Sequence, residues 1–224
     1  MRLYFIRHAQ SANNSLPERL RVEDPAITPL GHRQAAALAA DFESRQARHQ
    51  IRHLITSPFR RALETAEHLR AHMKLSAEVW VDLHEQGGCY SGYQPWLYQG
   101  RPGMSRNEIE RHFPWYRVEE SIGDDGWWAS KEYESAEAAG ARARRLWQRI
   151  CQLHDGDGGA VAFITHADFK SLLMKELARL GNWPTDPWNG IWNTAVTIVD
   201  VSSGPPQLVD FNSVSHLDQE LLSS

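Results

Sequence analysis

The chain has 224 residues, of which 42% are hydrophobic and 23% charged, and this composition excludes a mainly disordered protein. The formal net charge of -4 provides no general basic surface, so nucleic acids and anionic membranes are not expected partners. Two cysteines are too few for a disulfide framework, and no apolar run approaches the ~20 residues of a membrane span. With the first strand almost at Met1, no signal peptide is expected, and we predict one cytoplasmic domain over residues 1–224.

The first predicted strand is an apolar run, residues 3–6, that ends on Arg7 and His8. Four consecutive apolar residues predict a strand buried on both faces, as in the centre of an α/β sheet. Such sheets bind ligands beyond the carboxyl ends of their strands, where Arg7 and His8 would lie. Taken alone, however, this pair could equally be an ordinary polar strand end. The loop from Ser11 to Asp24 is expected to stay near the same edge.

Two helices with capping signals follow. Thr28 and Pro29 predict the start of the first, whose buried stripe would be Ala35, Leu38, Ala39 and Phe42. After a strand over residues 53–56, Ser57 and Pro58 predict the start of the second, with its buried face formed by Ala62, Ala66, Leu69 and Met73. Arg60 and Arg61 would lie in the first turn of that helix, where free backbone N–H groups favour an anion.

The segment from about 86 to 130 breaks the regular pattern. After a short strand over residues 78–83, it is rich in glycine, proline and aromatic residues, with a short helix predicted between Met104 and Phe113. We interpret it as an insertion or lid. Its aromatic rings could form a small core under the segment, stack on a substrate, or contribute to a homodimer interface.

The second half of the chain repeats the strand-then-helix order. A long helix is predicted over about 132–154, a turn over 155–159, and a buried strand over 160–165 that ends on His166. Asp168 is expected to cap the next helix, whose stripe would be Phe169, Leu172, Leu173, Leu177 and Leu180. A loop over 181–192 and an antiparallel hairpin over 194–211 complete the chain. The predicted fold is a three-layer α/β sandwich with a mostly parallel central sheet, helices on both faces, an antiparallel C-terminal hairpin and a Trp-rich insertion.

Three strand ends in this prediction carry basic groups. Arg7 and His8 follow the first strand, Arg60 and Arg61 open the helix after the second, and His166 follows a later one. The carboxyl ends of parallel strands share one edge of a sheet, so these side chains should converge. Guanidinium groups pair with phosphate oxygens in a forked geometry, and the set therefore favours a phosphate-binding pocket.

The same residues carry a family resemblance. Residues 7–14, Arg-His-Ala-Gln-Ser-Ala-Asn-Asn, resemble the Arg-His-Gly-Glu-Ser-x-x-Asn signature of the histidine phosphatase superfamily, also called phosphoglycerate mutase-like. Residues 24–34, 57–66 and 165–167 resemble three further segments of that family in the same order. Ala9, Gln10 and Ala167 stand where glycine, glutamate and glycine are more usual. The insertion and the C-terminal tail have no counterpart in these motifs.

The resemblance implies a metal-independent phosphomonoesterase of the histidine acid phosphatase type that needs no cofactor and acts on a small phosphorylated substrate. Neutral His8 would attack phosphorus and form a phosphohistidine, His166 would hydrogen-bond the phosphoryl group, and Glu85 would protonate the leaving alcohol. The residues assigned to phosphate binding are Arg7, Asn14 and Arg61. Arg60 is expected to be a surface side chain.

Three alternatives remain open at this level. A cofactor-dependent phosphoglycerate mutase would share the motifs, although the segment around Glu85 lacks the fuller pattern of true mutases. A non-catalytic phosphate-binding module would use the same arginines without turnover, and the retained Glu85 argues against it. A metal-dependent hydrolase could use Glu64, His68 and His72, which lie four apart on one helical face but have no further ligand near them in sequence.

Overall fold

A seven-stranded sheet forms the centre of the computed structural model, which describes residues 1–153, 159–184 and 190–224. From one edge to the other its strands are β6 (Tyr116–Val118), β3 (Ala77–Val79), β2 (Ile51–Thr56), β7 (Ala160–Thr165), β1 (Arg2–Arg7), β8 (Val196–Asp200) and β9 (Gln207–Ser213). The first five are parallel, and β8 and β9 form the predicted antiparallel hairpin. The α/β fold with a mostly parallel sheet is therefore confirmed.

Helices cover both faces of this sheet. On one face lie α2 (Pro29–Ser44) and α4 (Arg60–Met73), and on the other lie α6 (Ala136–Cys151) and α7 (Ala167–Gly181). Alternate residues of β1 contribute to the two faces, because side chains of a strand point to opposite sides. Tyr4 and Ile6 join the core under α2 and α4, whereas Leu3 and Phe5 join the core under α6 and α7. This double burial holds the end of β1 in place.

The remaining elements are short. They comprise the helices α1 (Ala12–Ser15), α3 (Gln46–His49) and α5 (Arg106–His112), a separate two-stranded sheet of β4 (Tyr90–Ser91) and β5 (Gln99–Gly100), and 3-10 turns at Glu18–Leu20, Val81–Leu83, Pro95–Leu97 and Gln219–Leu221. Among the described residues, no helix is long and apolar enough to cross a membrane.

One of the three predicted helix caps is confirmed and two are wrong. Thr28 accepts a hydrogen bond from the Gly31 N–H at 3.0 Å, and Pro29 begins α2. Ser57 does not cap α4, because that helix begins at Arg60 with Phe59 at its N-cap. Asp168 does not cap α7 either, since the position before the helix belongs to His166 and its side chain makes no capping bond. The loop before α4 is therefore two residues longer than predicted, and the loop before α7 is two residues shorter.

The segment 86–130 contributes a strand to the central sheet and side chains to the core. Its strand β6 pairs in parallel with β3 and forms an edge of the central sheet. Trp127 and Trp128 are buried, and Gly88 adopts φ 76° where a Cβ atom would lie 2.3 Å from the Trp128 ring. In contrast, Trp96 is 78% exposed and Trp115 is 65% exposed. The tryptophans therefore divide between core and surface.

Other boundaries differ by a few residues. The helix predicted from 132 begins at Ala136, because the Ser135 hydroxyl accepts from the Ala138 N–H at 3.2 Å and caps it. The predicted stripe of α7 is shifted: Leu180 is 52% exposed, whereas Met174 and Ala178 are buried. Residues 155–158 of the predicted turn and residues 185–189 of the loop predicted over 181–192 lie outside the described residues.

Candidate active site

The ends of three parallel strands bring the predicted basic groups together. Arg7 pairs with Thr165 in the sheet register, so His8 and His166 follow neighbouring strands at the same level. Their ring centroids are 5.0 Å apart. Arg61, in the first turn of the helix that follows β2, places its Nε 3.2 Å from Nε2 of His8. The convergence expected from the sequence is therefore present.

His8 is held in a single protonation state. Its Nδ1 lies 2.7 Å from the carbonyl oxygen of Ala9, which can only accept, so Nδ1 carries the hydrogen and Nε2 carries the lone pair. Burial, followed by the positive charges of Arg61 and Arg7, lowers the pKa of His8 well below its ordinary value. The ring is therefore neutral near pH 7, as a nitrogen nucleophile requires.

Two buried guanidinium groups flank this ring. Arg7 donates from Nη1 to the Ile191 carbonyl, and burial lowers its pKa to about 10. Its buried Nε has no hydrogen-bond partner within the described residues. Arg61 lies over the Phe59 ring at 3.9 Å. Arg60 instead projects to the surface, where it pairs with Glu64 at 2.8 Å. Of the two adjacent arginines, Arg61 is the one that lines the cavity containing His8.

Asn14 has its side-chain orientation fixed by its neighbours. The backbone N–H and the hydroxyl of Ser11 donate to Asn14 Oδ1 at 2.9 and 3.0 Å, and Asn193 Nδ2 approaches the same oxygen at 3.5 Å. Since these donors use the oxygen, the Asn14 amide N–H₂ is left for a ligand. Asn14 lines the same cavity as His8. This geometry suits a donor to a phosphate oxygen.

The side chain of Glu85 contacts the first turn of α7. Its Oε1 accepts hydrogen bonds from the backbone N–H groups of Gln86 at 2.9 Å and Phe169 at 2.8 Å. Its Oε2 accepts from the backbone N–H of Asp168 at 3.3 Å. Burial and the neighbouring charge of Asp168 raise its pKa, although these backbone donors act in the opposite direction. The result is a partly buried carboxyl group on the cavity floor that can hold a proton above the ordinary range for glutamate.

His166 lies behind His8 instead of on the cavity wall. It is fully buried, its Nε2 lies 2.7 Å from the Ser57 hydroxyl, and the Phe59 ring meets it edge-on with centroids 5.0 Å apart. Burial, Arg61 and His8 lower its pKa well below the ordinary value, so it is neutral. Its Nδ1 is buried without a hydrogen-bond partner among the described residues.

The groups at this edge line a cavity of about 420 Å³, a size typical of small-molecule sites. Its floor is formed by Arg7, His8, Arg61 and Glu85. One wall carries three tyrosine rings with centroids 4.5 to 4.9 Å apart: Tyr90, Tyr98 and Tyr133. Charged residues stand at the opposite loop, namely Glu18, Arg21 and Glu23. The cavity thus combines a cationic floor with an aromatic wall.

Several contributors were missed by sequence reasoning. Ser57 was interpreted as a helix cap, although its hydroxyl contacts His166. Asn193 donates to the His8 carbonyl at 3.1 Å from a loop that carried no motif. Asp24 belonged to a recognised segment, but nothing in that pattern showed that its Oδ1 lies 4.0 Å from Nη1 of Arg61. The tyrosine wall could have been suspected only from the aromatic content of the segment.

The alternative metal set has other partners. Glu64 accepts from the Ile27 N–H and from Arg60, His68 contacts His32 at 3.1 Å, and His72 contacts Glu43 at 2.9 Å. Within the part of the chain that the structure describes, no three histidine, cysteine or acidic side chains gather as metal ligands would. These side chains therefore belong to the surface contacts of α2 and α4.

With this geometry established, residues 3–214 match the family model described as Histidine phosphatase superfamily (branch 1). The chain therefore belongs to the histidine phosphatase superfamily, and the resemblance seen in the sequence is confirmed. A comparison with curated proteins found no match.

Solved structures share the fold. YhfR of Bacillus stearothermophilus has 24% identity and a TM-score of 0.63, covering 96% of this chain and 98% of its own. A mycobacterial glucosyl-3-phosphoglycerate phosphatase in complex with inorganic phosphate has 22% identity and a TM-score of 0.60, covering 97% and 99%. An Entamoeba histolytica phosphoserine phosphatase variant in complex with phosphoserine has 18% identity and a TM-score of 0.64, covering 96% and 98%.

Proposed function

We propose that this protein is a metal-independent phosphomonoester hydrolase that forms a phosphohistidine on His8. The observation that carries the proposal is the state of that ring: Nδ1 donates to the Ala9 carbonyl, while the Nε2 lone pair accepts a hydrogen bond from Arg61 Nε at 3.2 Å. A neutral imidazole beside a buried cation, open to a cavity, is the arrangement that attack on a phosphate dianion requires.

In the first step, Nε2 of His8 attacks phosphorus as the bond to the leaving oxygen breaks. Arg7, Arg61 and the Asn14 amide bind the phosphoryl oxygens and stabilise the charge that they carry in the transition state. Glu85 gives its proton to the leaving oxygen, so the alcohol departs neutral and Glu85 becomes a carboxylate. We also assign His166 to this phosphoryl group on the family resemblance and on its ring-centroid distance of 5.0 Å from His8, although its side chain does not line the cavity in this structure.

In the second step, water attacks the phosphohistidine. The Glu85 carboxylate takes a proton from the water as the new P–O bond forms, and the P–N bond breaks. His8 recovers its lone pair, inorganic phosphate leaves, and Glu85 is protonated again. The backbone donors at the start of α7 hold the carboxyl group in place during both steps.

We propose a small phosphorylated metabolite as the substrate. The cavity of about 420 Å³ and its cationic floor support a phosphate attached to a modest leaving group. The related structures contain phosphoserine and inorganic phosphate, which have this chemistry. We further propose a cytoplasmic location, which the unpaired cysteines Cys89 and Cys151 support, and a possible homodimer, which the exposed Trp96 and Trp115 support.

Trapping the intermediate tests the mechanism directly. Rapid quenching after mixing with p-nitrophenyl phosphate should give protein-bound phosphate that is stable to alkali and labile to acid, located on His8 by mass spectrometry. His8→Ala should give none and lose activity at least about 10³-fold, while the exposed His72→Ala serves as the matched control and should behave as wild type. A His8→Ala protein that hydrolyses at the wild-type rate would contradict the nucleophile assignment.

The same preparation separates the other functions. A mutase would isomerise phosphoglycerate with stimulation by the bisphosphate, and a binding module would bind phosphate without turnover. Activity that survives excess chelator supports metal independence, whereas loss on chelation and recovery with a divalent metal would contradict it.

A further inference from the structure

A buried carboxyl group lies directly behind the phosphate-binding arginine. The side chain of Asp24 is 11% exposed, and its Oδ1 lies 4.0 Å from Nη1 of Arg61. The same oxygen accepts from the Arg60 N–H at 2.8 Å, at the start of α4. Its Oδ2 is buried and has no hydrogen-bond partner within the described residues. Asp24 is therefore fixed in position but not fully satisfied.

Asp24 and Arg61 line two different cavities, which share Glu23 as a lining residue. Arg61 lines the cavity that contains His8, whereas Asp24 lines a neighbouring cavity of about 490 Å³ together with Arg101 and His112. A charge on Asp24 thus approaches the phosphate site through the guanidinium group and not through open solvent. Because the pair is buried, solvent screens this charge weakly.

We propose that Asp24 is a positioning residue for the phosphate site: it holds Arg61 from behind, and the charge on its carboxyl group sets how tightly the cavity binds a tetrahedral dianion. The inference deepens the proposed function, since it rests on Arg61 binding the phosphate. An ionised Asp24 offsets part of the field of Arg61 and weakens dianion binding. A protonated Asp24 leaves the full field, so it strengthens binding.

The surroundings of Asp24 support a change of charge near neutral pH. Burial raises the pKa of Asp24 to about 7, while Arg61 and Arg60 act to lower it and Glu64 acts to raise it. Burial raises the pKa of the nearby Cys89 thiol to about 12, so that group stays neutral. The other charged groups on the second cavity are Glu23, Arg101, Glu108 and His112. Dianion binding should therefore weaken as pH rises through about 7.

Sulfate is a suitable probe because its charge is constant across this range. Calorimetric titration from about pH 5.5 to about pH 8.5 should use the Glu85→Gln background, because Glu85 lies on the cavity floor and its pKa is also raised. In that background, sulfate affinity should fall at least about fivefold with rising pH. Adding Asp24→Asn should remove this dependence and keep the affinity at its low-pH value.

Glu67→Gln in the same background is the matched control, because it removes a charge from α4 where Glu67 pairs with Arg70. It should keep the pH dependence. In the enzyme with Glu85 intact, Asp24→Asn should lower kcat, as Arg61 loses its anchor, while KM at alkaline pH stays equal or decreases.

An unchanged pH dependence in Asp24→Asn would overturn the proposal, whatever the effect on folding measured by circular dichroism. Failure of the proposed function has a different signature, namely sulfate binding with the expected pH dependence but no turnover of any phosphomonoester by wild type.

Discussion

The floor and the aromatic wall of the cavity are built in opposite ways. Floor groups follow strands buried on both faces, so His8 is 4% exposed and Arg7 is 7% exposed. The wall combines residues from the two-residue strands and the turn between them, Tyr90 and Tyr98, with Tyr133, which is 37% exposed. The floor is positioned by backbone hydrogen bonds, whereas the wall is positioned by contacts among its own rings.

This difference assigns separate tasks to the two regions. A buried sheet end keeps reacting groups in place, and loops on such a scaffold vary the ligand. Changes at the floor should therefore alter the chemistry of every substrate. Changes at the wall should alter the KM of large substrates only. The following tests separate the two regions.

The largest effect is expected at Glu85. Glu85→Gln should lower kcat about 10²- to 10⁴-fold for an alkyl phosphate, whose leaving oxygen needs a proton, and much less for p-nitrophenyl phosphate. The pKa of Glu85 is raised, so wild-type activity on the alkyl ester should persist above the pH range in which glutamate ordinarily loses its proton. The activity should fall as the pH rises through the raised pKa of Glu85. Equal losses on both esters would show that Glu85 is not the proton donor.

The next effect is expected at the junction of the two regions. Arg142 pairs with Glu134 at 2.6 Å and donates to the carbonyls of Asp82 and His84, directly before Glu85. Arg142→Met leaves the buried Glu134 unpaired and should lower the free energy of unfolding by about 3–5 kcal/mol. Denaturant unfolding measures this change.

The exposed neighbour on the same helix provides the control. Arg145→Met should change the free energy of unfolding by less than about 0.5 kcal/mol. Similar losses in the two variants would mean that the buried ion pair does not join floor and wall.

A smaller effect is expected at the wall. Tyr98→Ala removes a ring that stacks on Tyr133 at 4.5 Å and should raise KM about three- to tenfold for a phosphomonoester with a large leaving group. The Ki of inorganic phosphate, which contacts only the floor, should not change. A matching rise in both constants would contradict the division between the regions.

The smallest effect is expected at the surface. Trp96→Ser should change stability by less than about 0.5 kcal/mol, because the ring is 78% exposed. If Trp96 forms a homodimer interface, analytical ultracentrifugation should show a dimer for wild type and a weaker one for the variant. A wild-type monomer at high concentration would remove the homodimer proposal.

Local patterns predicted much of the fold. The apolar runs that became β1 and β7 each end on the histidine expected there, and the spacing of Leu38, Ala39 and Phe42 identified the buried face of α2. These features depend on burial and periodicity over a few residues, which a sequence shows directly. The prediction failed at the starts of α4 and α7, where the N-cap positions belong to Phe59 and His166, whose side chains make no capping bond that a sequence pattern could reveal.

The sequence by itself therefore determined the strand ends, the basic groups on them and the family. Only the tertiary structure decided which nitrogen of His8 carries the lone pair, which way the Asn14 amide faces, and that β6 joins the central sheet. It also brought Asn193 to His8 and Asp24 to Arg61. The physical reason is that Asn193, Asp24 and β6 make contacts with residues far apart in the chain, and that local periodicity does not specify how the His8 and Asn14 side chains are turned.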